Sequence, residues 1–276
     1  MARTLARSGH DLTLWNRDAT KAEAVAADTG AAVAPTAAEA AASAAIVISS
    51  LADDAAVETV YLGDGGITSG IGEGSIALET STIDPDTVGK VGAAVDATGA
   101  GFIDCPVSGS VSTVEAGALT IMAGGDTALL DRARPVLEDL SAKIVHTGPR
   151  GSGAATKLAI NGLIHSLNGA LAEALVLAER AGVDRSTAYE VFAGGATGAP
   201  FLQYKREAYE HPEDAPVAFS LDLVAKDLEL ITGLGRRLGL DMDQAGTSLA
   251  VVRRALEAGL GQRDMSAIAV HLREGT

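Results

Sequence analysis

Two polar side chains lie four residues apart in an otherwise apolar stretch, ATKLAINGLI. They are Lys157 and Asn161, and helical residues at i and i+4 project from the same face. An ammonium group among Ala, Leu and Ile is costly to bury unless it is paired or its pKa falls. A lysine with a lowered pKa can exchange a proton with a substrate hydroxyl, and the neighbouring amide can hold that oxygen. A lysine that reaches the surface from a helix edge is the structural alternative.

A second polar group follows the strand-like segment GFIDC and consists of Ser108, Gly109 and Ser110. Open α/β sheets bind ligands at the carboxyl ends of their strands. Two hydroxyls and the backbone N–H groups around a glycine suit a substrate carboxylate. The alternative is an ordinary Ser-Gly turn, which is common in loops.

The end of a third strand-like segment, DLTLWNR, bears on the choice of a dinucleotide. NAD-binding sheets place an acidic residue there for the ribose 2′-hydroxyl, whereas an arginine accommodates the 2′-phosphate of NADP. Asn16 and Arg17 occupy this end, and Lys21 follows in the next turn. A guanidinium binds phosphate through paired hydrogen bonds. The pattern favours NADP over NAD, although Asp18 argues in the other direction.

Three segments together carry a resemblance to a known family. DCPVSGSVSTVEAGALTIMAGG, GSGAATKLAINGLI and AFSLDLVAKDLEL have the order and spacing found in the β-hydroxyacid dehydrogenases. The sequence resembles this family, which includes 3-hydroxyisobutyrate, tartronate semialdehyde and succinic semialdehyde enzymes, from Met1 onwards. The resemblance implies that Lys157 transfers the proton while Asn161 orients the substrate oxygen. It also implies a substrate-carboxylate site at residues 108–110.

The same resemblance implies further cofactor contacts near the nicotinamide and its ribose. These positions are Leu51, Ser81, Thr82, Phe219 and Lys226. Taken without the family, Ser81 and Thr82 could be helix caps, and Lys226 with Asp227 could be a solvated ion pair. One departure from the family pattern is Ala52, where the family has proline after Leu51.

Up to about residue 148, short apolar segments bounded by Gly, Asp or Ser alternate with segments compatible with helices. The predicted strands are DLTLWN, AAIVISS, SIALET, GFIDC, LTIMAGG and KIVHTG. Such alternation predicts a parallel sheet covered on both faces. Beyond Gly153 the pattern is helical throughout. The predicted architecture is α/β: a Rossmann-like, doubly wound dinucleotide-binding domain at 1–150, followed by an all-α substrate and dimerisation domain at 151–276.

The first residues predict a helix from Met1 to Ser8, closed by Gly9 and followed by a strand. In a doubly wound domain a strand and a G-x-G-x-x-G loop precede such a helix. We therefore expect the first strand and the glycine loop to lie upstream of Met1, which would then be an internal methionine. Without that loop, a truncated and inactive dinucleotide-binding remnant is an alternative function.

Composition excludes several classes of function. The formal net charge of −15 argues against nucleic acid as a partner, because phosphate binding needs clustered Lys and Arg. The single cysteine, Cys105, cannot form an internal disulfide. No apolar run approaches the ~20 residues that span a bilayer, and the five histidines lack metal-ligand spacing. These features predict a cytoplasmic protein with neither a membrane partner nor a metal.

The sequence thus predicts an NADP-dependent oxidoreductase that moves a hydride between nicotinamide and a small 3-hydroxy acid or semialdehyde. Imine reductases share the predicted architecture but generally replace the lysine, so Lys157 argues against them. Phosphogluconate dehydrogenases carry a histidine before the asparagine, where this chain has Ile160. The Ala- and Leu-rich helices near the carboxyl terminus predict a homodimer or homotetramer.

Overall fold

The computed structural model describes residues 1–275 of the chain. It divides into two compact units, Met1–Lys157 and Leu158–Thr276. The first unit contains a β-sheet with helices, and the second contains helices joined by short loops. The predicted α/β class with a helical carboxyl-terminal region is confirmed.

The N-terminal unit contains eight strands, two of which form a small sheet of their own. The strands are β1 (Thr13–Leu14), β2 (Ala32–Val33), β3 (Ile46–Ser49), β4 (Ile76–Glu79), β5 (Gly101–Asp104), β6 (Val107–Ser108), β7 (Leu119–Gly124) and β8 (Ser141–Gly148). The larger sheet has the order β3-β4-β5-β7-β6, and β8 also pairs with β7. All six segments predicted as strands contain one, whereas β2 and β6 were not predicted.

The direction of β7 differs from the prediction of a parallel sheet. β3, β4 and β5 are parallel, but β7 is antiparallel to both β5 and β6. β8 is in turn parallel to β7. The short connection from β6 to β7, residues 109–118, accounts for the antiparallel pairing of these two strands, because a parallel pair requires a crossover of a dozen or more residues. The sheet is therefore mixed.

Seven α-helices of the N-terminal unit lie between Ala2 and Glu138. They are α1 (Ala2–Arg7), α2 (Ala19–Thr29), α3 (Ala37–Ala42), α4 (Asp54–Leu62), α5 (Pro85–Asp96), α6 (Val111–Glu115) and α7 (Thr127–Glu138). Asp53, Asp84 and Asp126 each precede a helix and accept a hydrogen bond from a backbone N–H of its first turn. These aspartates fix where α4, α5 and α7 begin.

Alternating residues of the central strands bury side chains on both faces of the larger sheet. On β4, Ala77 packs with residues of α4 and α5, including Val57 and Val91. Its neighbours on the strand, Ile76 and Leu78, pack with residues of α7 on the opposite face. All three β4 residues are fully buried or nearly so. Burial on both faces explains the continuous apolar character of these segments.

β1 and β2 form a separate parallel pair. Among residues 1–275, no strand ladder joins β1 to β3, which lies at one end of the larger sheet. The expectation of an upstream strand and glycine loop stays a prediction.

A long helix, α8 (Ser152–Arg180), leads from the N-terminal unit into the C-terminal one. The helices that follow are α9 (Arg185–Gly194), α10 (Pro200–Glu210), α11 (Leu221–Arg237), α12 (Asp243–Glu257) and α13 (Ile268–Glu274). The core of this unit includes Leu175, Tyr189 and Tyr209. The phenolic O–H of Tyr209 donates to Asn168 Oδ1 at 2.8 Å, which pairs these two buried polar side chains.

Within residues 1–275, α8 is also the one helix that is long and apolar enough to cross a bilayer by length and composition. The expectation of no membrane-length segment is therefore wrong on those two criteria. Core helices of soluble proteins pass the same test, and α8 carries the buried polar residues Asn161, His165 and Asn168.

A buried ion pair, Lys205 with Asp264, holds the segment before α11. Lys205 Nζ lies 2.8 and 2.7 Å from the two carboxylate oxygens of Asp264. Asp264 also accepts hydrogen bonds from the N–H groups of Ala218, Phe219 and Ser266. Burial alone would raise the pKa of Asp264, but the bonds and charge of Lys205 outweigh it and lower the pKa. The pair therefore fixes the backbone at Phe219.

Replacing Lys205 with methionine leaves the buried Asp264 carboxylate without its cation. We expect Lys205→Met to lower the free energy of unfolding by about 3–5 kcal/mol, measured by urea denaturation. Lys90→Met is the matched control, because the Lys90–Glu58 pair is exposed and exposed pairs contribute little. Equal losses in the two variants would contradict this account.

Candidate functional site

Asp104, the last residue of β5, holds the beginning of α8. Its Oδ1 accepts from the N–H of Gly151 at 2.8 Å, and its Oδ2 accepts from the N–H of Ala154 at 2.9 Å. The side chain is almost completely buried. Burial raises the pKa of Asp104, although the backbone N–H groups act in the opposite direction. One carboxyl group thus joins the central sheet to the first turn of the helix that carries Lys157 and Asn161.

Lys157 and Asn161 are one helical turn apart on α8, as predicted. Lys157 is half-buried rather than enclosed, whereas Asn161 is buried. The amide nitrogen of Asn161 donates to Asp227 Oδ2 at 2.6 Å. Because a carboxylate only accepts, this bond fixes which end of the amide faces Asp227. The amide oxygen of Asn161 is directed elsewhere and can accept a hydrogen bond from a hydroxyl or an ammonium group.

Asp227 is the centre of a buried polar cluster in the C-terminal unit. Besides Asn161, it contacts His165 Nε2 at 3.4 Å and Lys226 Nζ at 2.7 Å. His165 stacks on Phe219, with ring centroids 5.9 Å apart. Burial would raise the pKa of Asp227, but the His165 and Lys226 contacts outweigh it and lower the pKa. The Lys226–Asp227 ion pair of the alternative is therefore present, but Asp227 has no exposed surface, so the pair is not a solvated one.

Ser108 and Ser110 flank a glycine that no other residue could replace without strain. Gly109 has φ +145°, and a Cβ there would meet Leu119 and Thr113 side chains at under 3 Å. Ser108 ends β6, while Ser110 caps α6 by accepting from the N–H of Thr113. The Ser110 hydroxyl also contacts that of Ser112 at 2.8 Å. The capping role of Ser110 is thus present in the structure, and its substrate role stays a prediction.

The loops after β3 and β4 bring Leu51 and Ser81 together. The N–H of Leu51 donates to Ser81 Oγ at 2.7 Å. Neither Ser81 nor Thr82 caps the next helix, because Asp84 does so. The structure therefore contradicts the capping alternative for these two residues. Both loops leave the sheet at the carboxyl ends of their strands, where open α/β sheets bind ligands.

Asn16, Arg17 and Lys21 are all exposed just after β1. Asn16 Oδ1 accepts from the N–H of Asp18 at 2.9 Å. Asp18 itself caps α2 by accepting from Thr20. This hydrogen bond is the main reason why the pKa of Asp18 is lowered. The exposed cations Arg17 and Lys21 thus flank an aspartate whose Oδ1 caps α2.

Sequence reasoning missed the buried carboxyl groups Glu79 and Asp104 and the histidine His165. Glu79 and Asp104 each end an apolar strand, and that position was a usable signal. His165 follows Asn161 by one helical turn, so both lie on the same face of α8. Asp227 lies between Val224 and Ile231 on the buried face of α11, at helical spacing from both. Within residues 1–275, no three His, Cys, Asp or Glu side chains are placed to hold a metal ion.

Comparison with known proteins agrees with this architecture. Residues 1–148 match the family model of the NAD-binding domain of 6-phosphogluconate dehydrogenase. Residues 151–272 match a second family model, which is described as NAD-binding of NADP-dependent 3-hydroxyisobutyrate dehydrogenase. The chain belongs to the β-hydroxyacid dehydrogenase family. It is accordingly an NAD(P)-dependent hydroxyacid dehydrogenase or semialdehyde reductase.

Individual relatives are similar over nearly their whole length. Glyoxylate/succinic semialdehyde reductase 1 of Arabidopsis thaliana is 32% identical over 97% of this chain and 92% of its own. The NAD-dependent L-serine dehydrogenase of Pseudomonas aeruginosa is also 32% identical, with the same coverage of the two chains. A structure of Mycobacterium tuberculosis 3-hydroxyisobutyrate dehydrogenase with L-serine has a TM-score of 0.86 at 29% identity. It covers 99% of this chain and 94% of that one.

The bonds from Asp104 to α8 lead to a stability prediction. In Asp104→Asn one oxygen becomes an NH₂ group that cannot accept, so one backbone N–H of α8 loses its partner. We expect the free energy of unfolding to fall by about 1–3 kcal/mol, measured by urea denaturation. Asp126→Asn is the control, because asparagine caps an exposed helix start about as well as aspartate. An unchanged midpoint in Asp104→Asn would contradict the assigned contacts.

Proposed function

We propose that the chain reduces a small semialdehyde, or oxidises the matching 3-hydroxy acid, with NADP as its preferred cofactor. The observation that carries the proposal is the arrangement on α8: Lys157 lies one turn from an Asn161 whose amide is oriented by a buried carboxylate. The relatives point to the same substrate class, because their names include semialdehyde reductase and L-serine dehydrogenase. L-serine is itself a 3-hydroxy acid.

The proposed chemistry needs a proton at the substrate oxygen and a hydride at the carbon that bears it. The bound dinucleotide supplies or accepts the hydride. In the reducing direction the Lys157 ammonium donates a proton to the oxygen as the carbonyl becomes a hydroxyl, and in the oxidising direction the amine accepts it. Asn161 orients this oxygen through its amide. Ser108 and Ser110, with the N–H groups around Gly109, bind the substrate carboxylate.

The proposed cofactor contacts are assigned separately, each from the residues around it in its own unit. Arg17 and Lys21 bind the 2′-phosphate, with Asn16 beside them. Leu51, Ser81 and Thr82 contact the nicotinamide ribose, and Phe219 and Lys226 contact the nicotinamide. The preference for NADP over NAD rests on the cationic side chains of Arg17 and Lys21 after β1, and Asp18, whose Oδ1 caps α2, is the residue that argues against it. The matched family model is named for an NADP-dependent enzyme, and the L-serine dehydrogenase relative is NAD-dependent.

We propose a small carboxylate as the substrate, a cytoplasmic location and a homodimer or homotetramer formed through the carboxyl-terminal helices. The proposed boundary between the dinucleotide-binding domain and the substrate domain lies near Arg150. The proposed dinucleotide-binding part is residues 1–150, and the proposed substrate and dimerisation part is residues 151–276.

Removing the Lys157 amine tests its role in proton transfer. We expect Lys157→Met to lower kcat by about 10²–10⁴-fold, while the Kd for NADPH stays near that of the unmodified chain. Steady-state kinetics and a Trp15 fluorescence titration measure the two quantities. Lys90→Met serves as the control for loss of an exposed lysine. Full turnover in Lys157→Met would refute the assignment.

The choice of NADP rests on Arg17 and can be tested by removing the guanidinium. We expect Arg17→Ser to weaken NADPH binding by about 10–100-fold, the loss typical of a charge-assisted hydrogen bond, and to leave NADH binding nearly unchanged. Trp15, two residues away, reports both titrations by fluorescence. Arg3→Ser controls for the loss of an exposed arginine elsewhere in the unit. Tighter binding of NADH than of NADPH by the unmodified chain would overturn the preference.

A further inference from the structure

The side-chain carboxyl group of Glu79 is buried and has almost no contact with solvent. Glu79 ends β4 and is 1% exposed. Burial raises the pKa of Glu79, and the hydrogen bonds from Ser49 and Ser81 only partly oppose this effect. A buried carboxyl group destabilises a fold unless its oxygens are paired. The proposed chemistry does not use Glu79, so its presence needs another explanation.

Both oxygens of Glu79 are paired, and they face different parts of the unit. On one side, Ser49 Oγ lies 2.5 Å from Oε2 and 2.7 Å from the hydroxyl of Tyr61, which is fully buried. On the other side, Oε1 accepts from the N–H of Ser81 at 2.7 Å. Ser81 Oγ then accepts from the N–H of Leu51 at 2.7 Å. Hydrogen bonds thus connect the buried Tyr61 of α4, through Ser49 and Glu79, to the loops that follow β3 and β4.

The two loops leave the same edge of the sheet. Ser49 and Glu79 are register partners on the parallel strands β3 and β4, so the segments that follow them begin side by side. Thr80 strengthens this junction, because both its N–H and its hydroxyl donate to the carbonyl of Ser49. Glu79 is the residue whose side chain contacts both Ser49, which leads to Tyr61 in the core, and the backbone N–H of Ser81 in the loop after β4.

We propose that Glu79 is a positioning residue that holds the loops after β3 and β4, at Leu51 and Ser81, in the arrangement that receives the nicotinamide ribose. The inference rests on the proposed function, because Leu51 and Ser81 are cofactor contacts only in that proposal. Glu79 itself contacts neither cofactor nor substrate in this account. Its effect passes through the backbone N–H of Ser81 and the hydroxyl that accepts from Leu51.

Two substitutions at position 79 separate hydrogen bonding from charge. Glu79→Gln keeps a carbonyl oxygen for the Ser81 N–H and an amide that can donate to Ser49 Oγ. Glu79→Met keeps the length of the side chain and removes both polar ends. Tyr61→Phe is the structural control, because it removes a hydroxyl from the core end of the chain and leaves the contacts of Glu79 with Ser81 in place.

The decisive readouts are the Kd and KM for NADPH, kcat at saturating NADPH, and amide hydrogen exchange at Leu51 and Ser81 in the cofactor-free protein. For Glu79→Met we expect about tenfold weaker NADPH binding, the equivalent of one lost hydrogen bond, with kcat nearly unchanged and faster exchange at both amides. For Glu79→Gln we expect values close to those of the unmodified chain. Tyr61→Phe should lower Tm without changing the Kd.

Several results would overturn the inference. One is a Glu79→Met variant in which neither the Kd for NADPH nor the amide hydrogen exchange at Leu51 and Ser81 changes. Another is NADPH binding by Tyr61→Phe that is as weak as binding by Glu79→Met, because this would indicate general destabilisation. Should Glu79→Met not fold, Glu79→Asp is measured instead, because a side chain one methylene shorter cannot reach both Ser49 and Ser81, and we expect the same weakened binding. Failure of the unmodified chain to bind any dinucleotide would refute the proposed function, whereas hydrogen exchange would still decide whether Glu79 holds the loops.

Discussion

The structure depends on carboxyl groups that are buried and must therefore be hydrogen-bonded. Asp104 binds the first turn of α8 to the end of β5, and Glu79 binds the loop after β4. In the C-terminal unit Asp227 orients the amide of Asn161. Each carboxyl group has few geometries that satisfy its oxygens, so each restricts a neighbouring segment to one position. Within each unit, the candidate residues that these carboxyl groups contact are thereby held in one orientation.

Much of the fold could be predicted from the sequence because hydrophobic patterning is a local property. The six apolar segments bounded by turn residues each contain a strand, and the helical pattern after Gly153 corresponds to α8 and the helices that follow. The direction of β7 could not be predicted in the same way, since it is decided by the connection that leads to it. β2 and β6 have only two residues each, and β1, which is as short, was predicted only because it lies within the longer segment DLTLWN.

The candidate site was predictable in its residue types and less so in its interactions. The spacing of Lys157 and Asn161 on one helix face was visible in the sequence, whereas the partner of Asn161 lies 66 residues further along the chain. Asp227 looks like half of a surface ion pair until its place on the buried face of α11 is known. Ser81 and Thr82 resemble caps until Asp84 is seen to cap α5. The sequence pattern within one segment does not show which distant segment that segment will contact.

The most direct test of the central claim follows the hydride itself. NADPH carrying deuterium at the transferable position of nicotinamide C4 is incubated with the protein and a small semialdehyde, and the product is analysed by mass spectrometry and NMR. The account predicts one deuterium on the carbon that becomes the hydroxyl-bearing carbon. A product without deuterium at that carbon, or no product with any small semialdehyde, would contradict it.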